Sequence, residues 1–533
     1  MRLILRDYIS TFKEEIELEN LLYNILILED FKNIIPAQKG LRQYGVDVKA
    51  EKNNEIYLFV LKQKDITRDC WNGNKTSVRQ TLEDIKDVYI PCFLKDKKTV
   101  NIILCTNGVI KQEVEINWNQ YIKKNKTENV EYFFWGINEL SQKVEKNLLN
   151  EYIFDDEMIS DLRKTIYFTS EVDNDLKYFK KVLNNIYLKI ELNIKVPKKY
   201  RKNLIIYLMF VSICIKYAID EQNNRLAIKM AERAIIKFWG FILKEKKYKK
   251  TFETDILNKL IEFYIESSRR YIKNIQKVCM FYPSFPIYNS LEYKLLVYES
   301  IGLLTTYTYF LQYYNYKGTN NEEIENNVNI LINILNNNTS YLYPVYDLHS
   351  IEINGLLLLL YKIRNNDAKM VLEQLIISIC DKMKISNYYP TPYEDYDMAI
   401  LMEFNDEVEE FKASVLLHNL LEWMVIFNEK EQFENVVRFL ERKFPKLDLS
   451  TWQIEPEEEK DMFSEARYDI GVSYSEDNNI SFKKVKETMK RMKYDCDEKK
   501  LLTIKYSCEP LLLMLARNYR IPILPILWNR LLT

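Results

Sequence analysis

The hydrophobic pattern of the chain changes character near residue 155. Before that point, short apolar runs alternate with turn residues. After it, apolar positions recur at helical spacing over long stretches. In the first part, Thr11–Leu28 carries Phe12, Ile16, Leu18, Leu21, Leu22, Ile25 and Leu26, which predicts a helix. Val46–Ala50 and Ile56–Lys62 predict two strands of a hairpin turning at Asn53-Asn54. Thr76 or Ser77 caps a predicted helix running to about Tyr89. Val100–Thr106 and Val130–Trp135 are nearly continuous apolar runs that suit buried strands, and a helix is predicted from Ile137 to about Asn150. The order helix, strand, strand, helix, strand, strand, helix predicts a small α/β domain with a central mixed sheet over residues 1–155. Five of the ten glycines (Gly40, Gly45, Gly73, Gly108, Gly136) fall there, as tight connections between strands require.

Residues 156–533 predict an all-α region. Asn224–Leu243, Thr254–Lys277, Tyr293–Tyr314, His349–Arg364, Asp367–Met383 and Glu431–Phe444 are apolar at helical spacing. Helix–turn–helix pairs of this kind stack as helical repeats, an α-solenoid, with a further break expected near 385–405. No 34-residue repeat signature is present.

Composition narrows the chemistry. Apolar residues make up 47% of the 533, ample for packed cores, and the formal net charge is −1, so overall charge does not announce nucleic acid. The eight cysteines form no CxxC pair, which argues against a zinc or disulfide framework and for reduced thiols in a cytoplasm. Leu204–Ile215 is the longest membrane-like run. It is shorter than the ~20 residues a spanning helix needs, and is expected as a buried helix with no membrane partner. Histidine decides most. With only His349 and His418, mechanisms built on a His base, paired histidines or a three-His zinc site are out of reach, and each His is expected to be structural. A hydrolase here must work with carboxylates, lysines and a hard metal ion. No Gly-rich phosphate loop is present, which argues against an ATP-driven function.

The candidate chemistry sits on the hairpin. Asp47 lies on its first strand and Lys62 ends its second, so antiparallel pairing brings the two to one end. A charge ending an otherwise apolar strand, Ile-Tyr-Leu-Phe-Val-Leu-Lys, calls for a partner or a task. Lys64, Arg68 and Lys75 add a basic cluster beside it, suited equally to phosphate contact or to a solvated face. Two further basic stretches, Lys244–Lys250 and Lys483–Lys493, are expected as solvated helix faces.

Gly45-Val46-Asp47 followed by Phe59-Val60-Leu61-Lys62 resembles the PD-(D/E)xK nuclease superfamily, in its Mrr-like restriction-endonuclease branch. Leu41-Arg42-Gln43-Tyr44 before the Asp, the Glu14–Glu19 segment of the first helix, Ser77–Leu82 through Asp87-Val88-Tyr89, and Phe134-Trp135-Gly136 with Leu148–Glu151 extend the resemblance over about residues 10–155. It implies a restriction-endonuclease-like fold and an endonuclease cleaving DNA, RNA being a compatible substrate. Mg²⁺ or Mn²⁺ would be held by Asp47 with Glu17 or Glu19, and catalysis would use Asp47, Lys62 and Gln80. It further implies a homodimer or higher homo-oligomer, a helical region that senses a trigger or a protein partner, and a setting in bacterial antiviral defence. The chain departs from the family at Val60, where a Glu or Gln is usual. The alternative is a catalytically degenerate nuclease fold serving as a binding scaffold for nucleic acid or protein.

Overall fold

The structure, a computed structural model, describes residues 6, 9–10, 12, 18–36, 44–73, 77–93, 99–147, 156–171, 176–247, 251–285, 289–314, 321–387, 389–392, 394–403, 412–464, 471–475, 480–496, 498–522 and 525–532. It forms two compact units, residues 1–223 and 224–533.

The first unit is built on a mixed sheet. Helix α1 (Glu19–Leu28) is followed by β1 (Lys32–Pro36), β2 (Val48–Lys52) and β3 (Glu55–Lys62). Short α2 (Arg68–Asn72) and α3 (Val78–Asp84) come next, the latter continuing as a π-helical turn Ile85–Tyr89 and then Ile90–Phe93. β4 (Val100–Thr106), α4 (Gln112–Asn125), β5 (Val130–Trp135) and α5 (Ile137–Asn147) complete the layer. The strands lie in the order β1-β2-β3-β4-β5, antiparallel through β3 and parallel from β3 to β5.

The hairpin forms where the pattern placed it. Lys52 pairs with Glu55, and Asn53 and Asn54 take φ of 51° and 66°, the left-handed pair that a two-residue turn matched to strand twist requires. Every residue of β4 is buried, as expected of a strand paired in parallel on both sides. Ile56, Leu58 and Val60 join Val100, Ile102 and Leu104 in a core closed by Trp71, Val78, Leu82, Ile85, Val114 and Trp118 of α2–α4. On the other face, Phe59 meets Phe31 and Trp135 edge-on, and α1 packs on α5 with Lys143 paired to Glu29 at 2.9 Å.

Three elements here were not expected. β1 is five residues long, ends in proline and leaves Ile35 half exposed, the profile of an edge strand. α2 has five residues. α4 is largely polar and buries only Val114, Trp118 and Tyr121, a stripe too thin to stand out.

Beyond the sheet, α6 (Asp156–Tyr167), α7 (Lys177–Leu192) and α8 (Pro197–Asp220) pack on one another. The expected boundary at 155/156 thus marks the passage from sheet to helices inside the first unit. One helix, Lys199–Asp220, is long and apolar enough to cross a membrane, and its Leu204–Ile215 run is buried throughout, as expected.

The second unit is mostly helical. Its main helices are α9 (Asn224–Lys244), α10 (Thr251–Ile275), α11 (Ser290–Tyr313), α12 (Asn321–Asn337), α13 (Ser350–Ile363), α14 (Asn365–Ile385), α15 (Tyr396–Glu403), α16 (Val415–Phe427), α17 (Lys430–Lys443), α18 (Glu459–Ser464), α19 (Phe482–Asp495), α20 (Pro510–Tyr519) and α21 (Pro525–Asn529). The expectation of an all-α region needs correcting: β6 (Ala413–Ser414), β7 (Asp448–Gln453) and β8 (Val472–Ser475) form a three-stranded sheet. β7 buries Leu449, Thr451 and Gln453 on alternate positions, so two of its three inward residues are polar and hydropathy hides the strand. Successive helices stack, but α20 also returns to pack on α9, α11 and α13, long-range closure that nearest-neighbour stacking does not supply. The break considered near 385–405 lies inside this unit.

Candidate active site at one end of the sheet

The start of β2 and the ends of β3, β4 and β5 meet at one edge of the sheet, because β2 runs against the other three. The carboxyl end of parallel strands is where α/β folds hold ligands.

Asp47 enters this end through a bulge. Val48 is paired with Phe59, yet the Asp47 N–H also donates to the Phe59 carbonyl at 2.9 Å, so two residues of one strand face one of the other. The Asp47 carboxylate takes over the next rung of the ladder, its Oδ2 accepting the Leu61 N–H at 2.6 Å. The approach to Asp47 depends on Gly45. Its φ is +81°, and a Cβ there would lie 2.1 Å from the Thr81 methyl of α3.

Lys62, half-buried, is the last residue of β3 and is aligned with Thr106 of β4. Strand alternation puts it on the Val60 face. Its ammonium has no hydrogen bond or ion pair among the described residues. Asp47 exerts its charge on Cys105, whose thiol is pushed up first by complete burial and then by that carboxylate. The two candidate groups share an end of the sheet but form no ion pair: Lys62 follows the Val60 face, while Asp47 acts on Cys105, which pairs with Leu61 on the other face.

The loops leaving β3 and β4 are clamped together. Asn107 is buried; its side-chain oxygen accepts the Lys64 N–H at 2.7 Å, and its amide donates to the Phe12 carbonyl at 2.9 Å. Thr106 donates its hydroxyl to the Lys64 carbonyl at 2.6 Å. Gln63 donates to the Phe12 carbonyl at 2.9 Å, which brings the segment before α1 to this end. A Cβ on Gly108 would fall 2.5 Å from the Lys64 carbonyl oxygen, so the two loops approach as closely as glycine allows. Lys64 itself takes φ +71°. Asp65 bonds Lys111 at 2.8 Å and the Val109 N–H at 3.0 Å, and those two contacts hold its carboxyl below the usual range. Asn107, Gln63 and Thr106 were not singled out in the sequence. Asn107-Gly108 reads there as an ordinary strand-ending turn, and only the tertiary contacts reveal the clamp.

The other expected site residues divide. Glu19 lies in the first turn of α1, half-buried. Lys64 is exposed on the β3–α2 connection and Arg68 at the first position of α2. Gln80 is exposed and donates to Asp84 of its own helix at 2.9 Å. Glu17 and Lys75 lie outside the described residues. Val60 is fully buried in the apolar core, so no carboxylate stands at the position the family uses.

No group of three His, Cys, Asp or Glu side chains is assembled among the described residues. Asp47 stands at the sheet end and Glu19 on the first helix. Both histidines lie elsewhere and are buried. His349 accepts two backbone N–H groups at Nδ1, and burial holds both imidazoles neutral. No family model, curated protein or solved structure matches the chain.

Proposed function

We propose that the first unit carries a metal-dependent nuclease of restriction-endonuclease type that hydrolyses phosphodiester bonds in DNA, in the setting of antiviral defence. The observation that carries this reading is that a bulge-held carboxylate, Asp47, and a lysine with no partner among the described residues, Lys62, both stand at the carboxyl end of a mixed sheet. The order helix, three-stranded antiparallel meander, helices, parallel strand also supports it.

Asp47, whose carboxylate also accepts the Leu61 N–H, would hold the cation, and Glu19 would add a second carboxylate. A bound Mg²⁺ or Mn²⁺ supplies Lewis-acid stabilisation of charge on the phosphate. The Lys62 ammonium offsets negative charge building on the same group and orients the attacking water. Lys64 and Arg68 hold neighbouring phosphates and set the register of the strand. Cutting both strands takes two such sites, which two copies of the chain would provide.

The test is nicking and linearisation of supercoiled plasmid with Mn²⁺ or Mg²⁺, beside Asp47→Ala and Lys62→Ala. Cleavage by the native chain that is lost in both variants supports the reading; cleavage that persists in both refutes this site. A second reading, a nuclease fold retained for binding alone, is favoured by the buried Val60. Absence of cleavage under every metal condition would decide for it.

A further inference from the structure

We infer that the exposed face of α19 in the second unit is a docking surface for the phosphate backbone of nucleic acid. This deepens the nuclease reading by giving the chain a nucleic-acid-binding surface, and it rests on that reading for the choice of duplex DNA as partner.

Helix α19 reads Phe-Lys-Lys-Val-Lys-Glu-Thr-Met-Lys-Arg-Met-Lys-Tyr-Asp. Its apolar positions, Val485, Met489 and Met492, are buried, and they share one side at helical spacing. Phe482 packs on Phe433 at 5.4 Å, and the Met492 carbonyl accepts the Gln453 amide at 2.8 Å. The helix is thereby fixed on its inner side, and its outward arc is presented as a rigid surface.

That arc is almost wholly cationic. Within the helix, Lys483, Lys484, Lys486, Lys490, Arg491 and Lys493 are accompanied by Glu487 and Asp495 alone, an excess of four positive charges on this helix in a chain whose net charge is −1. Two of the six have partners, at the outer limit of an ion pair: Lys483–Glu487 at 3.7 Å and Arg491–Asp495 at 3.8 Å. The ammonium groups of Lys484, Lys486, Lys490 and Lys493 have no hydrogen bond or ion pair among the described residues. The contrast with α17 is direct: there Lys430, Arg438, Arg442 and Lys443 are interleaved with Glu431, Glu434 and Glu441, the mixed pattern of a solvated face.

Four unneutralised lysines on one rigid helix repel one another, and a polyanion removes that repulsion. Lys483, Lys486, Lys490 and Lys493 recur at steps of three and four and so form one row. The helix is roughly 21 Å long, enough to run beside about six phosphates of one strand at 3.4 Å each. Tyr494, 87% exposed, projects from the same arc, where an aromatic ring can lie against sugar or base. A regularly spaced line of charges meets a regularly spaced line of phosphates, and duplex DNA supplies that at fixed pitch.

The test is fluorescence anisotropy of the full chain with a labelled 30-base-pair duplex in EDTA, across 50–200 mM salt. The native chain should bind, with affinity falling steeply with salt. Combining Lys486→Ala, Lys490→Ala and Lys493→Ala should weaken binding at least about tenfold and lower the log–log salt slope by about 2.7, at 0.9 for each phosphate that the variant no longer neutralises. Arginine at the same three positions should restore both. Unchanged affinity and slope in the alanine variant, or no binding by the native chain, would overturn the proposal. So would equal binding of poly-glutamate at matched charge, which would point to an acidic protein instead. Asp47→Ala should leave this binding intact while ending cleavage, so failure of the docking surface and failure of the nuclease site are separately visible.

Discussion

The sheet end of the first unit and the helical core of the second use charge in opposite ways. In the second unit, half-buried arginines are matched to buried carboxylates. Arg517 reaches Glu232 at 2.9 Å and Arg520 reaches Glu352 at 2.5 Å, while Arg530 bonds Glu509, which also receives the Tyr309 hydroxyl. All three arginines come from the last 24 residues, so the end of the chain is locked into the unit through ion pairs. At the sheet end, Lys62 is half-buried without a partner among the described residues, and Lys64 and Arg68 are exposed. Charges placed for stability arrive in pairs, because an unpaired buried charge costs several kcal/mol. On the proposed reading, the lysine left without a partner is kept for a phosphate of the substrate.

The largest effect should follow from breaking a pair in the second unit. Arg517→Met leaves Glu232, 1% exposed, without its counter-charge, and should destabilise by about 3–5 kcal/mol in denaturant unfolding. Adding Glu232→Gln should recover part of that loss. If the single variant unfolds at the native midpoint, the pairing contrast is broken.

The next effect is on acid stability. His418 is fully buried, and both ring nitrogens lack a hydrogen bond; the nearest carboxylate oxygen, on Glu422, lies 3.7 Å from Nδ1. Burial pushes the imidazole down from 6.5 to about 4. Between those values the unfolded chain binds a proton that the folded chain refuses. Stability should therefore be complete above about pH 6.5 and decline as pH falls towards 4, by at most about 3 kcal/mol. His418→Leu should remove that portion of the pH dependence. Unfolding midpoints measured from pH 7 to 4 check it; identical slopes in native and variant chains would count against the account.

These contrasts also show what was legible in advance. The hairpin, β4 and the Ser77 cap could be read directly, since short apolar runs, Asn-Asn and a capping serine are local signals; β5 was legible as a strand but not as an edge, since it buries only Tyr132 instead of the expected whole run. That Asp47 and Lys62 reach one end followed from hairpin pairing alone. The bulge at Asp47 and the Asn107 clamp could not be read, because each depends on segments tens of residues away. β7 escaped because it buries Thr451 and Gln453, and the closure by α20 because long-range ion pairs leave no periodic trace.

At the sheet end the consequences should run to activity instead of stability. Lys62→Met should lower cleavage about 100-fold, the scale of losing one group that stabilises transition-state charge, with the unfolding midpoint unchanged. A variant that loses stability and keeps its rate would reverse the comparison. Smallest of all, Lys64→Ala or Arg68→Ala should weaken substrate binding a few-fold, seen as a higher KM at unaltered kcat, since each is an exposed phosphate contact.

The claim that the sheet end is a cation site is tested most directly by titrating Mn²⁺ into the full chain and into Asp47→Asn, read by electron paramagnetic resonance. Asparagine keeps an oxygen for the Leu61 N–H and removes only the charge. The native chain should bind one Mn²⁺, and the variant should bind it at least tenfold more weakly at equal stability. Equal Mn²⁺ affinity in both chains, or none in the native one, would contradict it.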